Sequence, residues 1–243
     1  MADFFVLPDE YSVRADIAPS AFSKKAELTR TEKKRFVQAV KTITITSQIA
    51  GERIPSRMDE EYNVQVIQCF DIQLDNLKNA PFAAGVIQRL IKPPAVLLFT
   101  EGTNDARLNM AIKRLNRNNP DEIVIDKQFT TSSFNILPGD DTYRLLKRHV
   151  AFGSLKNLQD KAAMYIEWYV KTMIIDQRKI IPQAEELLSS SVFYDMHKTL
   201  ALLSLLCEYH QTLDDQAQEN TLANKAACNT KLKKITSQLT EHA

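Results

Sequence analysis

Hydrophobic positions along this chain change period once. In the first half they recur at every second residue, and in the second half at every third or fourth. In "VKTITITSQI", Ile43, Ile45 and Ile49 fall on one face and Thr42, Thr44 and Thr46 on the other, the alternation of a half-buried strand. "VQVIQCFDIQLD" repeats it, with Val64, Val66, Phe70, Ile72 and Leu74 opposed to Gln65, Asp71, Gln73 and Asp75. Ahead of the first strand, "TRTEKKRFVQAVK" predicts a short helix with Thr31 as its candidate cap and Phe36, Val37 and Val40 as its apolar side.

"LKNAPFAAGVIQRLIK" has helical spacing, since Phe82, Val86 and Leu90 join Ala83, Ile87 and Ile91 in a wide apolar face. Pro93 and Pro94 end it, because neither donates a backbone hydrogen bond and each drives its predecessor towards extended geometry. The next run, "AVLLF", is too apolar to alternate and suits a central strand covered on both faces. Strand, helix and strand with tight connections predict a parallel crossover. Two further strands, "RLNMAIKRL" and "EIVIDKQF", flank the turn "NRNNPD". The expectation is a mixed sheet of about five strands.

From residue 142 the helical period holds. Leu155, Leu158, Ala162, Tyr165 and Tyr169 mark one long helix; Phe193, Met196, Leu200, Leu203, Cys207 and His210 mark another. Pro182 sits where a first turn tolerates it, opening a shorter helix through Leu187 and Leu188. The last stretch is polar with a thin apolar line, Leu222, Cys228, Leu232, Ile235 and Leu239, which fits a projecting helix or an antiparallel hairpin. Leu232, Ile235 and Leu239 are candidate partner-binding residues. The fold class is therefore α+β: a mixed-sheet domain over residues 1–141 and a helical region over 142–243.

Composition adds mainly exclusions. The chain has 243 residues, a formal charge of +1, and no acidic or basic tail, so bulk electrostatics recruit neither nucleic acid nor membrane. Cys69, Cys207 and Cys228 are scattered and odd in number, which argues against a disulfide framework or a zinc cluster. The first residues carry acids and a proline in place of a secretory signal, and no apolar run approaches the roughly 20 residues that span a bilayer. A cytoplasmic protein is expected.

The five glycines, Gly51, Gly85, Gly102, Gly139 and Gly153, never cluster as a phosphate-cradling loop requires. None of the four histidines, His149, His197, His210 and His242, has a carboxylate at zinc-ligand spacing, and His210 falls on the apolar seam of its helix. No cofactor and no metal site is expected. A metal-dependent nuclease would need an acid followed, on a neighbouring strand, by an acid, one residue and a lysine, so that carboxylates hold the ion and the lysine steadies the attacking water. Asp71 is a candidate first acid, but Lys113 follows Ala111 and Lys127 follows Ile125. Asp71, Glu101 and Asp126 are the candidate carboxylates if the chain is an enzyme, although Glu101 also begins the turn "EGTNDA", where exposed acids are common.

Two basic clusters remain: Arg107, Lys113, Arg114 and Arg117 within residues 107–117 without an acid, and Lys24, Lys25, Arg30, Lys33, Lys34 and Arg35 with Glu27 and Glu32 among them. Either suits phosphate contact; the alternative is a solvated edge strand protected by its charges.

The order of "FFVLP", the charged helix into "VKTITITSQI", "VQVIQCFDIQLD", "LIKPPAVLLF" and the polar tail "NTLANKAACNTKLKKITSQL" resembles the domain-of-unknown-function family 4391. That resemblance implies a bacterial protein encoded beside helicases and DNA methyltransferases in restriction and phage-defence islands, and supplies no catalytic residues. The expected function is a non-catalytic accessory or scaffold subunit of such an assembly, with a helicase, ATPase or methyltransferase as protein partner and DNA as a further candidate. A divergent metal-dependent nuclease and a nucleic-acid-binding module using 107–117 are the alternatives.

Overall fold

A computed structural model describes residues 4–25 and 28–243. The side chains of Lys24 and Lys25 and the whole of Glu27, all in the second basic cluster, lie outside the described residues. The chain divides into two compact units, one ending at Thr172 and one running from Met173 to Ala243.

The first unit opens with strand β1 (Ser12–Ile17), short helix α1 (Pro19–Lys25) and helix α2 (Arg30–Ala39). The cap of α2 is Thr29, two residues before the threonine expected. Its hydroxyl accepts the Glu32 N–H at 3.3 Å while the Glu32 carboxylate accepts the Thr29 N–H at 2.8 Å, a reciprocal capping box that Thr31 cannot form. Strand β2 (Val40–Ile49) follows, then the small hairpin of β3 (Arg57–Met58) and β4 (Asn63–Val64), and β5 (Ile67–Leu74). Helix α3 (Ala80–Leu90), entered through a 3-10 turn at Leu77–Asn79, leads to β6 (Ala95–Glu101). Strands β7 (Asp105–Asn116) and β8 (Asn119–Thr130) form a long hairpin, and β9 (Phe134–Asn135) returns to β7. Helix α4 (Asp141–His149) comes next, then α5 (Lys161–Gln177), which belongs to this unit as far as Thr172.

The main sheet has seven strands in the order β1-β2-β5-β6-β7-β8, with β9 also on β7. Every described pairing in it is antiparallel except β5 with β6, which α3 joins as a parallel crossover. The fold is thus mixed α+β, as the periods require. Two of the strands carry no readable alternation: β1 is exposed for nearly its whole length, and β9 has two residues. The strand bearing Arg107 to Arg114 is interior, flanked by β6 and β8; the sheet edge lies one strand further out.

One sheet face is closed by α2 and α3, where Phe36, Ile43, Phe70, Ile72, Leu97 and Phe99 share a buried cluster with Ala83, Ala84 and Ile87. Each such aromatic or branched side chain contributes about 1.5–3 kcal/mol on leaving water. Along β6 and β7, the other face meets α5. Tyr165 is fully buried, and its hydroxyl accepts the Ala111 N–H at 3.0 Å and donates to the Ala95 carbonyl at 2.9 Å. The β6–β7 ladder runs only to Val96 with Met110, so the phenol bridges the first place where the two strands no longer pair. Trp168 donates to the Val150 carbonyl at 2.7 Å and lies 5.1 Å from the Phe5 ring. Leu155 and Leu158 precede α5 instead of belonging to it, because Asp160 caps the helix by accepting the Ala163 N–H at 2.8 Å.

The second unit contains α6 (Ala184–Ser189), α7 (Met196–Gln218) and α8 (Leu222–His242). Helix α6 starts after Gln183, which holds the left-handed conformation at φ 53°. Helices α7 and α8 form an antiparallel hairpin, tied by Lys231 with Glu208 at 3.0 Å and Gln216 with Asn229 at 2.6 Å; the Ser190 hydroxyl, just after α6, donates to the His242 carbonyl at the end of α8. Ile235 and Leu239 are buried and Leu232 is half-buried. Two of the three residues expected to greet a partner are therefore inside the fold, which is where a thin apolar line on a polar helix belongs when a second helix lies along it.

Candidate functional site

The alternation of β2 and β5 that buries isoleucines on one side places hydroxyls, amides and a carboxylate on the other. A groove of about 430 Å³ lies over that polar face, lined by Arg14 of β1, Thr42 and Thr44 of β2, Asp71 and Gln73 of β5, and Thr100 of β6. Register fixes their arrangement. Asp16, Thr44 and Asp71 are successive partners across three strands, and Thr42, Gln73 and Thr100 form the adjoining row. The Thr44 hydroxyl donates to Asp16 at 2.6 Å, and the Thr46 hydroxyl donates to the Cys69 carbonyl at 3.2 Å. The Cys69 thiol, two residues before Asp71 on the same face but fully buried, is pushed up from its ordinary value by burial and then by the Asp71 charge; it stays protonated and inert.

The three candidate carboxylates do not converge. Asp71 faces this groove, half-buried. Glu101 closes β6 one residue beyond Thr100, hence on the opposite face, where it accepts the Leu77 N–H at 2.8 Å and caps the entry to α3. Asp126 sits at an irregularity of β8 and pairs with Arg114 at 3.0 Å. Among the described residues no three His, Cys, Asp or Glu side chains lie close enough to hold a metal ion. Taken instead as the second acid, Asp71 is followed two places on by Gln73, a neutral amide where a nuclease strand carries its lysine, and an amide cannot offset the charge of a hydroxide.

The four basic candidates scatter as well. Lys113 is 4% exposed and donates to the Pro93 carbonyl at 3.0 Å and to the Ile91 carbonyl. It closes the C-terminal end of α3, where orphan carbonyls and the helix dipole favour a cation. Burial pulls its ammonium down to about 7. A lysine so placed cannot reach a phosphate, which corrects the expectation for that position. Arg114 is engaged by Asp126, Arg107 is half-buried opposite Phe99, and Arg117 is exposed beside the β7–β8 turn.

Three buried ions had no sequence signal, because i,i+4 charge pairs and single lysines are ordinary on any helix. Lys161 donates to the carbonyls of Gly51 at 2.8 Å and Ile54 at 2.6 Å and to the Ser56 hydroxyl at 3.2 Å. Glu167 accepts backbone N–H groups of Lys156 at 2.9 Å and Asn157 at 2.8 Å and pairs with Lys171 at 2.5 Å. These groups fasten the loops 51–56 and 154–157 to α5; they are structural.

A family model matches residues 5–239, nearly the whole chain. The chain belongs to the family Domain of unknown function (DUF4391). No curated protein and no solved structure matches it. For this DUF4391 chain the sheet groove is a concave polar surface of which Asp71 alone is named from the sequence as a candidate. Arg14 and Asp16 were missed, since "SVRADI" has too little apolar character to announce an edge strand. Among the described residues no helix of this DUF4391 protein is long and apolar enough to cross a membrane.

Proposed function

We propose that the chain is a non-catalytic binding subunit of a bacterial anti-phage defence or restriction-type assembly, working in the cytoplasm through protein–protein contacts. The observation that carries this reading is the dispersal of its reactive groups. Glu101 caps a helix, Asp126 is held by an arginine, Lys113 closes a helix end, and Asp71 meets neither of the other two candidate acids. Membership of DUF4391 supports the defence setting through the gene neighbourhoods that the resemblance implies, with a helicase, ATPase or methyltransferase as the partner. The test is co-expression of the tagged chain with its neighbouring genes, followed by size-exclusion chromatography. Co-elution with a neighbouring gene product at fixed stoichiometry is the expected result; a chain that elutes alone refutes the reading.

One observation favours a second reading, a divergent metal-dependent nuclease. Asp16 and Asp71 flank Thr44 in a single row on an open sheet face, and one or two carboxylates with water suffice for Mg²⁺. Calorimetric titration with Mg²⁺ and Mn²⁺ and a nuclease assay on single- and double-stranded DNA decide it. Activity abolished by Asp71→Asn supports this reading, and absence of both ion binding and cleavage ends it.

A further inference from the structure

The sheet ends at β8, and among the described residues no strand pairs with its outer side. A groove of about 570 Å³ runs between this edge and the C-terminal end of α3. Four consecutive residues of β8, Glu122 to Ile125, line it. Side chains of a strand alternate between faces, so Ile123 and Ile125 reach the groove from the sheet face beside Lys113 of β7, and Glu122 and Val124 reach it past the strand's edge. The opposite wall is apolar and half-exposed, formed by Leu90 and Ile91 at the end of α3. Ile123 and Ile125 lie on the same face as Lys113, their register neighbour being Lys113 for Ile125, and add apolar surface towards that wall.

Exposed cations outnumber carboxylates on the rim. Arg89 and Lys92 line the groove and are exposed, while the carboxylate lining it, Glu122, accepts the Asn116 side-chain amide at 2.9 Å. An open strand edge beside a helix accepts an extended chain through main-chain hydrogen bonds, with alternate side chains entering the groove. Unguarded edges are usually blunted by charge or by bulges; here irregularities fall after Ile125 and before Ile123, and leave 123–125 in regular register.

We propose that the β8 edge and the α3 end form a docking groove for an extended partner segment in which apolar residues alternate with acidic ones. The segment adds a strand to β8, its apolar side chains lie against Leu90, Ile91, Ile123 and Ile125, and its carboxylates meet Arg89 and Lys92. This deepens the reading of the chain as a binding subunit and names the chemistry of its partner.

The probe is a random decapeptide library displayed on phage and selected against the full chain, with the recovered peptides synthesised and their Kd measured by fluorescence anisotropy. Selection should enrich alternating apolar and acidic sequences. Arg89→Glu with Lys92→Glu, both exposed and tolerable to the fold, should weaken binding at least tenfold, and N-methylation of alternate peptide amides should abolish it. No enrichment, enrichment of basic or helical peptides, binding that survives both changes, or a dimer of the chain that occupies the β8 edge in sedimentation would each overturn the proposal. Loss of peptide binding with retained co-elution of a neighbouring gene product would remove this groove while leaving the subunit reading intact; loss of co-elution alone would do the reverse.

Discussion

Replacing Glu167 by glutamine should cost about 3 kcal/mol of stability, a large share of the roughly 5–15 kcal/mol that folded domains possess. Glu167 is fully buried and Lys171 is 1% exposed, so water screens neither. Their contact is 2.5 Å, and the carboxylate also receives the Lys156 and Asn157 N–H groups. Glutamine keeps an acceptor oxygen for one of those amides but leaves the Lys171 ammonium without its counter-charge. Removing one partner of a buried pair costs about 3–5 kcal/mol; the retained oxygen sets the lower end. Glu167→Ala, which also orphans backbone donors at about 1–3 kcal/mol each, should reach the upper end or pass it. Trp168 is the chain's single tryptophan and neighbours the site, so urea unfolding followed by its fluorescence reports directly. A double-mutant cycle with Lys171→Met should return a coupling of about 1.5–3 kcal/mol. A Glu167→Gln loss below about 1 kcal/mol, or a cycle that closes with no coupling, would refute the assignment of this pair as the fastener of the 154–157 loop.

Tyr165→Phe deletes the hydroxyl that serves the Ala111 N–H and the Ala95 carbonyl; two buried main-chain groups left without it should cost about 2–4 kcal/mol, measured by the same unfolding assay, and a neutral substitution would mean the strands close without it. Lys113 carries a pH signature. Its folded value is about 7 against about 10.4 unfolded, so the unfolded chain holds more protons across that window. Stability should therefore rise as pH climbs from about 7 to 10, by up to about 1.4 kcal/mol per pH unit from this group, and Lys113→Met should flatten the slope; equal slopes in both proteins would contradict the burial argument. Glu101→Ala removes the cap at the entry to α3 and should lower stability by about 0.5–2 kcal/mol while leaving co-elution with a partner unchanged, and loss of co-elution in a folded variant would move Glu101 into the binding surface.

The fold was legible wherever one face of an element is buried and the other is not. Ile43, Ile45 and Ile49 against Thr42, Thr44 and Thr46 announce β2, and the same alternation builds both the core and the polar groove. The crossover at Pro93 and Pro94 was legible because proline leaves the helix no choice. Positions whose neighbours come from far along the chain were not. Lys113 reads as one cation among several until α3 ends above it, and Glu167 with Lys171 reads as a surface pair until the loop 154–157 folds over both. Edge strand β1 was silent because an exposed strand is under no pressure to alternate. The candidate site was half visible for the same reason: Asp71 could be named, whereas Arg14 and Asp16 enter only through register.

The phenol of Tyr165 has a consequence for how the molecule comes into being. The Ala111 amide lies 54 residues ahead of the hydroxyl it needs, and the Ala95 carbonyl 70. During synthesis the whole sheet emerges before that hydroxyl does, and its centre stays two hydrogen bonds short until α5 arrives. Contacts of such long sequence separation slow folding, so the sheet's completion is timed by a helix. Amide exchange at Ala111, followed on stalled chains that end before and after residue 165, would show the moment of closure as an abrupt gain of protection.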